Sequence, residues 1–455
     1  MSVDPQLEQA GKNLPSENLS KLDRFFKLTE RGTNIRTEFI AAITTFMTMS
    51  YIIFVNPAIL ADAGIPKEAA IAATIWASVI GTVLFALWAN MPIAVAPGMG
   101  LNAFFTYTVV LGQGLSWQTA LGAVFISGVV FLILTLTGIR KKLVEGVPEV
   151  LRSAIGVGIG LFIAFIGLKN AGIIVQSDAT FVALGSITSA GPLLALSGFI
   201  LAAVLLTRKV KGALVISILL TTVAAMIVGA AQTPTGLGDI VSFTLPSLSE
   251  TFMQMDVMAA ISYGIISVIF SFTIVELFDN LATLLGLSKK AGLMDKDGKI
   301  KHLNRALTAD AIATMSSAAM GSTAMNAYIE NATGIAEGGR TGLKALFISA
   351  FFLLALFFTP LVMLIPGFAT APVLVLVGAL MLNEIAHIRF DDFTDVVPAF
   401  LTIIMMPLTF SIAEGLAFGF ISYTLLKVFT GRAKEVQWIV YCISAAFIIN
   451  FMFHG

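Results

Sequence analysis

The chain has 455 residues, 57% of them hydrophobic and only 12% charged, where soluble domains carry roughly 25% charged residues. Apolar runs of about 17 to 25 residues, the length that crosses a hydrocarbon core of about 30 Å, recur almost from end to end and leave little room for a soluble domain. Lysine plus arginine equals aspartate plus glutamate, so net charge points to no nucleic acid and only the distribution of charge informs; the single cysteine, Cys442, excludes an intramolecular disulfide and a cysteine-based metal cluster.

Residues 1–36 read as a polar cytoplasmic segment carrying Lys12, Lys21, Arg24, Lys27, Arg31 and Arg36. They lack the basic-then-apolar order of a cleaved signal, and a short interfacial helix is expected around Leu22 to Leu28. A first set of seven apolar spans follows near 38–60, 68–89, 95–112, 118–138, 149–168, 190–206 and 212–230, filling residues 37–230. Residues 231–257, without lysine or arginine, form an extracytoplasmic loop. A second set near 258–284, 306–322, 325–338, 343–365, 370–386, 396–410 and 411–429 fills residues 258–430. In the C-terminal segment 431–455 the apolar run 436–453 fits either a further span or an interfacial helix. With the N-terminus inside, Arg140, Lys141 and Lys142, then Arg208, Lys209 and Lys211, then the loop from Lys289 to Arg305 face the cytoplasm, as the positive-inside rule requires. An odd number of spans per half inverts one half relative to the other.

The two halves share short matches. Phe54-Val-Asn-Pro-Ala-Ile-Leu60 aligns with Phe278-Asp-Asn-Leu-Ala-Thr-Leu284, and at the same offset of 224 residues Leu101-Asn-Ala-Phe104 aligns with Met325-Asn-Ala-Tyr328. Inverted repeats are the signature of alternating-access carriers, in which broken segments at corresponding positions of the halves mark the substrate site. The third and tenth spans fit: Ala96-Pro-Gly-Met-Gly-Leu-Asn-Ala-Phe-Phe105 opens with proline and two glycines, and Gly321-Ser-Thr-Ala-Met-Asn-Ala-Tyr-Ile-Glu330 is small and polar. Each is expected to begin extended and continue as a half-helix whose first amides are free for a ligand.

Charges inside spans cost several kcal/mol and usually face a cavity or a partner. Asp279 and Glu330 lie in the repeated patches of the eighth and tenth spans and are expected to line the solute site. Glu276, three residues before Asp279, shares roughly its helix face and is either a second cavity carboxylate or part of a polar network. Asp310 suits helix capping or a bond between spans; Glu384 and Glu414, near span ends, read as solvated. Val55 stands where Asp279 stands in the other half, so the chemistry belongs mainly to the second half. Gly156-Val-Gly-Ile-Gly160 is explained better by close helix packing than by a nucleotide-binding loop. No Gly-Lys-Ser/Thr loop is present, so uphill transport would draw on an ion gradient, and a buried carboxylate exposed to each side in turn is the usual proton carrier. His302, His387 and His454 form no metal pattern, and with no legible nucleophile-base pair the chain reads as a non-enzyme without a cofactor.

At these residues the sequence resembles the AzgA-like purine permeases, a branch of the nucleobase:cation symporters (nucleobase-ascorbate transporters). The likeness runs through nearly the whole chain, in Arg36-Thr-Glu-Phe-Ile-Ala-Ala-Ile-Thr-Thr-Phe46, the stretches from Ala96 to Phe105 and from Gly158 to Phe162, Phe278-Asp279, Ala327-Tyr-Ile-Glu330 and Gly338-Gly-Arg-Thr-Gly342. It implies an all-α, fourteen-span inverted-repeat fold divided into core and gate domains, often a homodimer, embedded in lipid of the bacterial inner membrane. It implies secondary active uptake of a purine nucleobase by proton symport through alternating access. By motif match the resemblance carries substrate binding and proton coupling onto Asp279 and Glu330, adds Thr283, and gives Asn102, Ala103 and Phe104 the third-span side of the pocket. Two departures stand out: Asp279-Asn-Leu-Ala-Thr283 where many relatives read Asp-x-x-Gly-Thr, and Tyr328-Ile-Glu-Asn331 where many read Tyr-Ile-Glu-Ser. Ala282 for glycine narrows the pocket or shifts helix packing, which leaves adenine, guanine and hypoxanthine all open.

The chemistry of the residues agrees with that expectation. A purine is flat and neutral, with donors and acceptors around its rim, and suits an apolar slot with aromatic faces and few polar groups. Phe104, Phe105, Tyr328 and Phe278 would supply the faces; Glu330 and backbone amides near Asn102 and Asn326 would supply the edge bonds. An anion or ion channel of the same architecture is the competing reading, and it would present a positive group or bare helix dipoles where this chain has two carboxylates.

Overall fold

The computed structural model describes residues 20–140, 143, 146–264, 268–294, 300 and 302–454, with the backbone alone for 263, 264, 278, 279, 281, 282, 453 and 454. Eight of the described helices are long and apolar enough to cross a membrane, and four shorter apolar helices accompany them. The chain is therefore a mostly helical integral membrane protein.

Helix α1 (Lys21–Phe26) is capped by Ser20 and seats Phe26 and Leu28 against Leu343, matching the short helix expected there. The first span is divided into α2 (Ile35–Met49) and α3 (Ile52–Asp62), which meet at Ser50 and Tyr51. Pro57 inside α3 has no N–H to give the preceding turn, which loosens this segment further. Helix α4 (Lys67–Leu84) runs on through a π-helical turn, Phe85–Ala89, and stops where Asn90 turns left-handed at φ 48°. A short strand β1 (Val95–Pro97) leads into α5 (Met99–Ala103), which continues with π-helical winding over Phe104–Gly112. Then come α6 (Trp117–Leu136) and α7 (Glu149–Asn170). A hairpin of β2 (Ile174–Ser177) and β3 (Phe181–Leu184), not foreseen in an all-α reading, precedes α8 (Ala190–Thr207) and α9 (Ala213–Ile227).

The second half opens with α10 (Val257–Gly264) and α11 (Phe270–Lys290), followed by α12 (Leu303–Met320). Gly321, at φ 96°, ends α12 and admits the strand β4 (Met325–Ala327) and the six-residue helix α13 (Asn331–Ala336). The remainder is helical: α14 (Gly342–Ala355), α15 (Thr359–Met363), α16 (Gly367–Met381), α17 (Phe393–Thr409), α18 (Ile412–Phe429) and α19 (Trp438–His454). The last apolar run is thus one helix, and it packs on α18 through Ser444, which lies 2.7 Å from Thr424 and donates to Phe420 O. Helix α7 crosses its neighbours at glycines. A Cβ on Gly160 would stand 2.8 Å from Gly378 O of α16, and one on Gly158 would stand 2.6 Å from Met406 Sδ of α17.

Strands β1 and β4 pair antiparallel with Ala96 opposite Asn326. The broken third and tenth segments therefore touch each other. The uniform offset of the sequence matches fails at this point, because Leu101-Asn102-Ala103 lies in α5 while Met325-Asn326-Ala327 is extended. Extended backbone buried within a membrane protein must have every polar group satisfied, since an orphan costs several kcal/mol. Side chains close both outer edges. Thr82 Oγ1 accepts from Val95 N and donates to Val95 O, each at 3.1 Å. Met325 N donates to Thr314 Oγ1 at 3.2 Å, and Ala327 N donates to Asn280 Oδ1 at 2.9 Å.

Candidate functional site

The strand crossing gathers Asn326, Tyr328 and Glu330, three of the second-half residues singled out from the sequence. Tyr328 follows β4, and its hydroxyl donates to Pro97 O at the end of β1 over 2.6 Å. Glu330 immediately precedes α13 and is partly exposed, beside Ile329, which is 69% exposed. Glu330 Oε1 accepts from the Tyr51 hydroxyl at 2.7 Å, so the break in the first span delivers a third element to this place. The Tyr51 and Tyr328 rings lie 6.3 Å apart. Thr333 fixes the backbone beneath, with its N–H and its hydroxyl both donating to Glu330 O, at 3.0 and 2.7 Å.

The expectation of free amides at the start of the tenth-span half-helix is not met. Asn331 N, Ala332 N and Thr333 N bond back to the carbonyls of Tyr328, Ile329 and Glu330 in a tight turn, at 3.0, 2.9 and 3.0 Å. Asn102 N likewise donates to Gly98 O at 2.8 Å, and Asn326 lies inside the strand pair.

On the third-span side, Asn102 is fully buried and its Oδ1 accepts from the Thr323 hydroxyl. Its Nδ2 has no hydrogen-bond partner among the described residues. Ala103 and Phe104 are each 1% exposed, and Phe104 packs edge-on against Phe272 of α11, ring centroids 4.8 Å apart. Phe105 is equally buried, so the faces of both phenylalanines are taken up by the core. Asn326, at the middle of β4, is 6% exposed. Thr283 lies half-buried on α11. Asp279 and Phe278 belong to the same helix, but their side chains lie outside the described residues.

Two polar chains run from the edge of β4 through α11 and α12. Thr314, which accepts from Met325 N, donates to Glu276 Oε1 at 2.7 Å, making Glu276 part of a buried network. Asn280, which accepts from Ala327 N, donates to Asp310 Oδ1, and Asp310 Oδ2 pairs with Arg140 Nη2 at 2.6 Å. Asp310 thus bonds between spans. Arg140, read from sequence as a loop charge, is only 1% exposed, with its guanidinium 4.5 Å from the Phe131 ring centroid.

A third support lies under β1. Lys344 and Glu38 are completely buried. Lys344 Nζ donates to Pro92 O at 3.0 Å and to Asn331 O at 3.2 Å, joining the approach to β1 to the start of α13. Asn331, one of the departures noted in the sequence, completes this joint: its Oδ1 accepts from Ala94 N and its Nδ2 donates to Ala94 O, both at 2.8 Å. Glu38 accepts from Arg340 N at 2.8 Å and from Lys344 N at 3.1 Å. The Arg36-to-Phe46 and Gly338-to-Gly342 motifs therefore meet in space.

Sequence reasoning missed Tyr51, Glu38 and Lys344. The two charges sit at span ends, where a solvated reading is the default, and the tyrosine is one aromatic within an apolar run; only their partners in space distinguish them. Two surface cavities lie elsewhere. One is an apolar groove lined by Phe418, Leu425, Ile448 and Met452, the other a cleft around Glu68, Asp239 and Thr359, and neither includes any of these residues. Among the described residues no His, Cys, Asp and Glu group is arranged to hold a metal ion.

Comparison with known proteins adds sequence and fold relationships. A Permease family model matches residues 36–452. The adenine permease AdeQ of Escherichia coli K12 is 42% identical over 435 residues, covering 96% of this chain and 97% of that protein. The guanine/hypoxanthine permease PbuG of Bacillus subtilis 168 is 44% identical over 440 residues, covering 94% of this chain and 99% of that one. Among solved structures, the transmembrane domain of the cyanobacterial bicarbonate transporter BicA superposes with a TM-score of 0.65 at 16% identity, over 85% of this chain and 97% of that domain, a likeness of fold.

Proposed function

The chain belongs to the Permease family, the nucleobase-ascorbate transporters, and on that premise we propose that it takes up purine nucleobases by proton symport through alternating access. Relatives named for adenine and for guanine/hypoxanthine align over nearly its whole length, and the family and these relatives are permeases, not enzymes. The observation that carries the reading is Glu330: a carboxylate held in place by Tyr51, partly exposed at the crossing of two broken segments.

In this reading the helices make fourteen spans in two inverted sets of seven, over residues 37–230 and 258–430, with core and gate parts and a cytoplasmic N-terminus. An ionised carboxylate accepts bonds from purine N–H groups, and such charge-assisted bonds run about twice as strong as neutral ones. Glu330 is the binding carboxylate. Asp279, beside the buried Asn280 on α11, is the proton carrier; Thr283, Asn102 and Asn326 complete the polar rim, with Tyr328 as an aromatic wall and Ala103 and Phe104 as packing behind it. The buried networks through Lys344 and Arg140 hold the strand pair rigid, as a site that must discriminate between similar bases requires. A channel for an inorganic anion has the fold likeness to BicA in its favour, but the carboxylate at the crossing repels that cargo.

The test is uptake of radiolabelled adenine, guanine, hypoxanthine, xanthine and uracil into cells lacking their own nucleobase carriers, with and without a protonophore. Accumulation of at least one purine that collapses with the proton gradient is expected. Sodium-dependent accumulation that survives the protonophore refutes proton coupling, and absence of purine uptake by abundant protein refutes the substrate.

A further inference from the structure

Tyr51 belongs to no motif noted in the sequence, yet its hydroxyl donates to the Glu330 carboxylate. The residue is 1% exposed, its carbonyl starts α3 by accepting from Phe54 N and Val55 N at 3.0 Å each, and its ring stands against Tyr328. The Tyr328 ring is itself pinned by its hydroxyl on Pro97 O. Swinging Tyr51 aside would leave a buried hydroxyl unpaired, which is unfavourable in an apolar interior. The carboxylate is also anchored from below, since Thr333 bonds the Glu330 carbonyl twice. Tyr51 therefore takes one of the acceptor positions of Glu330 Oε1, and a carboxylate, with about four such positions, keeps others for a ligand.

We propose that Tyr51 is a specificity-determining residue: by donating to Glu330 Oε1 it occupies one acceptor position and weakens that oxygen as an acceptor for the ligand, and so selects against purines that present two parallel N–H donors. This rests on the reading of Glu330 as a purine-binding group. A carboxylate with both oxygens free is matched by a two-donor fork. Guanine offers such a fork with N1–H and its 2-amino group. Hypoxanthine is the same ring without the 2-amino group, so it needs one carboxylate oxygen where guanine seeks two. The pair of bases isolates the second donor.

The experiment measures inhibition constants of unlabelled guanine and hypoxanthine against uptake of whichever labelled purine the parent protein accumulates, in the parent and in Tyr51→Phe and Tyr51→Leu. The guanine-to-hypoxanthine ratio is independent of how much of each variant reaches the membrane. With Oε1 released, the ratio is expected to move about tenfold toward guanine in both variants, the low end of what one hydrogen bond to a charged group contributes. An unchanged ratio, or one that moves toward hypoxanthine, overturns the proposal. Glu330→Gln separates the two layers. If it leaves both constants as in the parent, the site reading itself fails; if it weakens both bases while Tyr51→Phe leaves their ratio unmoved, only the role of Tyr51 is refuted.

Discussion

Replacing Asp310 by asparagine removes one charge from an ion pair in which neither side chain is more than 1% exposed. Its two oxygens accept from two different donors, Arg140 Nη2 and Asn280 Nδ2. An asparagine has one acceptor oxygen, so whichever neighbour it serves, its own amide N–H2 faces the other donor. Arg140 is left as a buried charge whose remaining described bonds are one to Leu307 O at 3.3 Å and the contact with the Phe131 ring. Removing one partner of a buried pair costs about 3–5 kcal/mol. The loss also frees Asn280, and with it the anchor of Ala327 N at β4. Thermal unfolding of the purified protein in detergent should show Asp310→Asn melting well below the parent. The double variant Arg140→Met/Asp310→Asn should recover part of that loss, because the orphaned charge is gone; contacting residues of this kind couple by about 0.5–3 kcal/mol. An Asp310→Asn protein that melts with the parent, or a double variant whose loss is the sum of the two single losses, would refute the reasoning.

Glu330→Gln keeps shape and loses charge, so equilibrium purine binding by purified protein should weaken sharply; binding like the parent's removes Glu330 from the site. Asp279→Asn should still bind purine but fail to accumulate it in cells, and accumulation at the parent's level excludes Asp279 as the proton carrier. Asn102→Ser, which removes the unpaired Nδ2, should reorder the preference among purines without lowering protein abundance; an unaltered inhibition profile makes Asn102 structural. Gly342→Ala would place a Cβ 2.1 Å from Ala86 O, forcing α14 away from the end of α4, and overpacking of this kind costs about 1–3 kcal/mol. Its melting temperature should fall, and an unshifted melt would show that the two helices separate freely.

Much of the scaffold is legible one residue at a time. Apolar length alone marks the membrane helices, because the bilayer sets that length and demands that backbone groups be satisfied within the segment. Pro97, Gly98 and Gly321 announce breaks for the same local reason: proline lacks a donor, and glycine adopts left-handed backbone. Glu330 was conspicuous as an acid in an apolar run. The pairing of β1 with β4 was not legible, because it joins Ala96 to Asn326 across the whole chain and leaves no periodic signal in either segment. Nor were the amides of the tenth segment, which the local turn consumes.

The sequence by itself determined the solvent, the placement of helices and breaks, and the acids that cannot sit idle in an apolar interior, since each follows from the free energy of a residue against lipid. Tertiary structure decided the rest. Arg140 is a buried ion-pair partner rather than a loop charge, Lys344 and Glu38 are interior struts rather than span ends, and Tyr51 is the group on the Glu330 carboxylate. These roles depend on partners 170 to 302 residues away in the chain, brought together only by the fold, and a hydrogen bond's direction and partner have no expression in composition or spacing until the chain is packed.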